Sequence, residues 1–84
     1  MNYPLSIRLR ILRTLEAFSP NSAPIASISD GVNIEMPRKV EMPELREHLN
    51  WLLEQEMVAK VGEALDPDAA RWVITRVGLG AVQQ

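Results

Sequence analysis

The run LREHLNWLLEQEMVAKV, residues 45–61, changes its apolar period once, and that change constrains the fold more than any other feature. Leu45, Leu49 and Leu52 recur at helical spacing, with Leu53 widening the stripe. From Met57 to Val61 the pattern alternates instead, as a half-buried strand does. A helix must therefore hand over to a strand near Glu56. RWVIT (Arg71–Thr75) is rich in strand formers, and GEALDPDAA between the two runs carries turn residues. Residues 57–61 and 71–75 are predicted to pair as an antiparallel hairpin. Its connecting loop, longer than a tight turn, is expected to project as a flap.

Upstream, PLSIRLRILRTLEAF (Pro4–Phe18) places Leu5, Ile7, Leu9, Ile11, Leu12, Leu15 and Phe18 on one broad helical face. Arg10 and Arg13 project from the other side. Pro4 suits a first helical turn. SPNS (Ser19–Ser22) ends that helix. Ser22 is expected to cap a second helix starting at Ala23–Pro24, with Ile25, Ile28 and Val32 on its inner face. Pro37 then breaks helicity. The third helix is expected from Pro43 to Met57, with Glu44 at the positive end of its dipole. Thr75 can cap a last helical turn, weakened by Gly78 and Gly80. The expected core is Ile11, Leu12, Leu15, Ile28, Leu45, Leu49, Leu52 and Val73.

Eighty-four residues imply one domain over 1–84, and 46% hydrophobic content argues against disorder throughout. The absence of cysteine excludes a disulfide scaffold and a thiolate metal site, and fits a reducing cytoplasm. His48 is the sole imidazole and cannot by itself make a zinc site. The serines have no base beside them in any motif and serve caps and turns. Glu44, Glu47 and Glu54 share a helix face, as solvated carboxylates commonly do. These observations point away from an enzyme, a metal and a cofactor. No apolar run approaches a membrane span, and arginines interrupt the N-terminal apolar segment, so neither a membrane nor a secretory leader is expected.

Three stretches, LRILRTL (residues 9–15), LNWLLEQEMV (49–58) and WVITRVGLGAV (72–82), carry a resemblance to winged helix-turn-helix proteins. The chain is similar to bacterial regulators of the MarR and ArsR type. It more closely resembles small winged-helix proteins encoded in Mu-like phages and prophages. The matching positions are Val40, Leu49, Trp51, Leu52, Glu54, Gln55, Val58, Thr75, Gly78 and Leu79. The resemblance implies an α+β winged helix-turn-helix with three helices and a two- or three-stranded wing. It implies a non-enzymatic, DNA-binding transcription regulator in the cytoplasm of a bacterial host. Glu56 departs from the pattern, standing where winged-helix chains usually have glycine; the departure implies strain or a different helix end. Winged-helix regulators often form homodimers through terminal helices, although the C-terminal segment here is short for that role.

In such a fold the third helix and the wing approach double-stranded DNA. The candidate contacts are Arg38, Lys39, Arg46, His48, Asn50, Lys60 and Arg71. Arg46 suits guanine edges and Asn50 adenine edges. The charge balance pulls the other way. Nine Lys and Arg stand against eleven Asp and Glu, a net charge of −2, whereas nucleic-acid modules are usually basic. The alternative is a protein-interaction module presenting Glu44, Glu47, Trp51 and Glu54 to a host or phage protein, with Trp51 as its anchor. Trp51 could instead lie against the wing, next to Trp72.

Overall fold

The first helix, α1 (Tyr3–Phe18), is the spine of the core and packs on every later helix and on the last strand. The computed structural model describes residues 3–34, 36–62 and 70–83. They form an α+β arrangement of four helices and a three-stranded antiparallel sheet. Ile7, Ile11 and Leu15 are fully buried and Leu12 nearly so. The buried arc is narrower than the apolar pattern suggests. Leu5, Leu9 and Phe18 stay exposed. Leu9 stands about 160° around the helix from Ile11, so one neighbouring layer cannot cover both.

After α1 the chain enters a two-residue strand, β1 (Ala23–Pro24), followed by α2 (Ile25–Val32). Ser22 does not cap α2. Its hydroxyl and carbonyl oxygens each accept a hydrogen bond from Arg71, both at 2.9 Å. This fastening keeps residues 22–24 extended. Pro24 then occupies the cap position with no side-chain cap bond. A proline is tolerated there because β1 is an edge strand.

Helicity ends at Val32, before Pro37, and Asn33 takes over the connection. Its Oδ1 accepts from the Val40 N–H at 2.7 Å, and its Nδ2 donates to the Ser29 carbonyl at 2.9 Å. Val40 is thereby drawn into the core. Helix α3 (Met42–Glu54) follows, burying Leu45, His48, Leu49 and Leu52.

Helix α3 stops three residues earlier than its apolar pattern predicts. The Glu56 N–H bonds the Leu53 carbonyl and the Met57 N–H bonds the Leu52 carbonyl, both at 3.0 Å. This is a Schellman ending, whose left-handed residue is usually glycine. Here it is Glu56, with φ +62°. The expected strain is therefore present.

Strand β2 (Val58–Val61) pairs antiparallel with β3 (Arg71–Ile74), and β1 flanks β3 on its other edge. The hairpin register is Val58 opposite Ile74 and Lys60 opposite Trp72. That register puts Trp72 and Ile74 on the core face, and both are buried. Val73 faces the other way beside Ala59 and is only half-buried, which corrects its expected place in the core. The other seven expected core residues are buried. The expected flap falls on residues 63–69, outside the described residues.

The chain closes with α4 (Arg76–Val82), a fourth helix where one weak turn was expected. Thr75 makes it. Its Oγ1 accepts from the Gly78 N–H at 3.2 Å and donates to the Glu56 carbonyl at 2.6 Å. Its N–H bonds the Met57 carbonyl at 3.0 Å. Gly78 is pressed so closely onto this corner that a Cβ would lie 2.2 Å from the Met57 carbonyl oxygen. A backbone atom cannot step aside as a side-chain tip can. Gly78→Ala is therefore expected to lower unfolding stability by at least about 2 kcal/mol, in the upper range for overpacking. Glu56→Gly relieves a left-handed side chain and should raise stability by about 1 kcal/mol. Urea unfolding of both variants, at matched m-values, measures the two effects.

Candidate nucleic-acid interface

Around α3 at about 100° per residue, the buried arc is centred between Leu45 and Leu52. One flank carries Arg46 and Asn50 and leans toward the hairpin. The other carries Glu44 and Trp51 and leans toward α1. Glu47 and Glu54 occupy the exposed arc between them.

On the hairpin flank, Arg46, Asn50 and Lys60 line one small cleft of about 110 Å³, with Trp72, Ile25 and Ala70 forming its apolar wall. The register explains the grouping. Lys60 lies opposite Trp72 on the core-facing side of the hairpin, and its ammonium stands 5.6 Å from the indole centroid. That distance is within cation–π range and holds the lysine stem against the sheet.

The other candidates have different surroundings. Arg38 meets Glu44 through two parallel contacts, Nη1 to Oε1 at 3.3 Å and Nη2 to Oε2 at 3.2 Å. Glu44 sits in the first turn of α3, so the pair lies at the helix entrance, with Lys39 exposed beside it. Arg71 is exposed but committed to Ser22. Its guanidinium fastens β3 to the chain before β1.

His48 differs most from its expected place as a DNA contact. It is buried, and its Nδ1 accepts a hydrogen bond from Arg8 Nε at 3.3 Å. An accepting Nδ1 requires the neutral imidazole. Burial lowers the His48 pKa below 6.5 and the neighbouring Arg8 lowers it further, while Glu44 and Glu47 partly oppose the shift.

Arg8 also covers Trp51, with its guanidinium carbon 3.8 Å from the ring centroid. Trp51 is therefore half-buried against α1 rather than laid under the hairpin beside Trp72. The four residues of the acidic alternative are correspondingly divided. Glu44 is paired with Arg38, Trp51 is capped by Arg8, and Glu47 and Glu54 remain exposed.

The residues that sequence reasoning overlooked here are Arg8 and Trp72. Arg8 carried a visible signal. At about 100° per residue it falls between Leu15 and Leu12, inside the apolar arc of α1, where an arginine must pack rather than project. Trp72 could be located only through the strand register. Among the described residues no group of three or more His, Cys, Asp or Glu is placed to hold a metal ion. Nor, among them, is any helix long and apolar enough to cross a membrane.

No protein-family model, curated protein or solved structure matches the chain.

The His48 environment generates a pH dependence with a definite sign. The folded-state pKa lies below the unfolded value of 6.5. The unfolded chain then binds the proton more readily, and stability is lost as pH falls. The contribution is complete above 6.5 and declines as pH drops through the lowered folded value. Urea unfolding between pH 7.5 and 5.5 should show this decline. His48→Gln, which cannot titrate, should flatten it.

Proposed function

We propose that this chain is a small non-enzymatic DNA-binding protein of winged-helix type. The observation that carries the reading is the convergence of Arg46, Asn50 and Lys60 on one cleft between α3 and the hairpin. These residues come from two consecutive elements, α3 and β2, joined by residues 55–57. They supply a guanine reader, an adenine reader and a phosphate contact in one place. The element order supports the same reading, with three helices preceding a hairpin that would serve as the wing. The connection between α2 and α3, residues 33–41, is longer than the three- or four-residue turn of the simplest helix-turn-helix. The resemblance of the sequence to bacterial regulators of the MarR and ArsR type is the ground for proposing a regulatory role in a bacterial host.

The electrostatics favour weak binding. Arg38 and Arg71 are already engaged within the chain, and Glu47 and Glu54 stand beside the cleft on the exposed arc of α3. Few phosphates can be neutralised, so affinity should depend on low salt.

The second reading is protein interaction through α3. It is favoured by exposed Glu47 and Glu54, which repel phosphate and would attract a basic partner.

Titration of a labelled random-sequence duplex at low salt tests the first reading. Binding should weaken steeply with added salt, at a log–log slope near −0.9 per phosphate contact. Lys60→Ala should reduce that slope by about one contact. Arg46→Ala and Asn50→Ala should weaken binding, and Asn50→Ala should leave thermal stability nearly unchanged because its side chain is exposed. Absence of binding at low salt would leave the acidic protein-interaction surface as the better reading.

A further inference from the structure

A second surface, sharing no residue with the α3–hairpin cleft, combines apolar and basic character. Helices α1 and α2 enclose an open groove of about 500 Å³. Leu9, Ala17, Phe18 and Ile34 form its apolar surface, with Leu9 37%, Phe18 38% and Ile34 76% exposed. Arg10 and Arg13 line the same groove. Among the described residues, no carboxylate lines it, and neither arginine has an ion-pair partner.

The groove exists because α1 and α2 approach closely at one point. Gly31 faces Thr14, and a Cβ at Gly31 would lie 2.6 Å from the threonine methyl. Thr14 is held low by a 2.8 Å hydrogen bond from its hydroxyl to the Arg10 carbonyl. A small residue opposite a tied-down threonine leaves a floor flanked by longer side chains.

Exposed apolar side chains gathered on one concave surface offer a place for a ligand's apolar side chains. Here two arginines without an ion pair among the described residues accompany them. We propose that the α1–α2 groove binds an acidic amphipathic peptide segment of a partner protein. Apolar side chains at helical spacing would cover Leu9, Phe18 and Ile34, and flanking Asp or Glu would reach Arg10 and Arg13. Helix-in-groove recognition has this form, with apolar anchors supplying affinity. An arginine–carboxylate rim would supply orientation and speed of association. Charge sign selects this occupant. A basic segment would meet two guanidinium groups that no carboxylate among the described residues neutralises. A purely apolar segment would leave those groups beside its surface without partners.

The proposal is independent of the DNA reading, which uses other residues. Selection of a displayed library of random 16-residue peptides on the immobilised full chain tests it without assuming a sequence. Enriched peptides should carry net negative charge and apolar residues at i, i+3 or i+4. A synthetic copy of the strongest should shift backbone amide resonances of residues 9–18 and 31–34 in the labelled protein. The double variant R10E/R13E, and separately Ile34→Asp, should each weaken its binding at least tenfold. Both changes lie on the surface, and an unchanged melting temperature checks that the fold is intact. Enriched peptides that are neutral or basic would overturn the proposal. So would affinity that survives R10E/R13E, or a failure to enrich any peptide. Vesicles of phosphatidylglycerol and a random DNA duplex serve as competing probes. If either binds through Arg10 and Arg13 while no acidic peptide does, the groove is an anionic lipid or nucleic-acid site and the proposal fails.

Discussion

The contact between Gly78 and the Met57 carbonyl sets the geometry on which the rest of the molecule depends. Three elements meet there: the end of α3, the start of β2 and the first turn of α4. The missing side chain at Gly78 allows the meeting, and Thr75 organises it through three hydrogen bonds. The strained Glu56 lies inside the same knot, with its carbonyl held by Thr75. A non-glycine left-handed residue persists only where its surroundings over-determine it. The corner that ends α3 also sets the direction of the hairpin, and with it the distance between Asn50 and Lys60. The candidate interface therefore depends on a backbone approach made by residues outside the cleft itself.

A second organising contact works through charge. Arg8 leaves α1 within an otherwise apolar arc and ends between an indole face and an imidazole nitrogen on α3. Its Nε–H donates laterally to His48 and its plane stacks on Trp51, an arrangement that suits a planar cation and would not suit a lysine. The contact ties α1 to the side of α3 opposite the hairpin cleft. Trp51 and His48, which resemble surface recognition residues in the sequence, serve here as the seat for that arginine. The outer arc of α3 is left to Glu47 and Glu54.

Much of this was legible in the sequence, for identifiable reasons. The handover from helical to alternating spacing near Glu56 located the end of α3 to within three residues. The strand-forming run at Arg71 gave the hairpin. Glu56 stood out because glycine was expected in its place, and its backbone is left-handed as that expectation implied. What escaped were matters of phase and partnership. Val73 was assigned to the core because a β-branched residue in a strand resembles core, but alternation alone cannot say which face turns inward until register is known. Ser22 resembles a helix cap to any local rule, and its actual partner, Arg71, lies 49 positions away. His48 and Trp51 could not be assigned from α3 alone, since their environment is built by a side chain from α1.

Asn33 replaces a length of secondary structure with one side chain. Its amide accepts from the Val40 N–H at 2.7 Å and reaches the Val40 carbonyl at 3.4 Å, in the manner of a neighbouring strand one residue long. The path between residues 33 and 40 is closed at its two ends by Asn33, and Arg38 within it is tied to Glu44 at the entrance of α3. The position of Val40, and so the entry of α3, is set by these two Asn33 contacts more than by the length of the path. In evolutionary terms the bracket separates loop length from helix placement. Related chains could lengthen the path ahead of Arg38 while keeping Arg46 and Asn50 aimed at the hairpin.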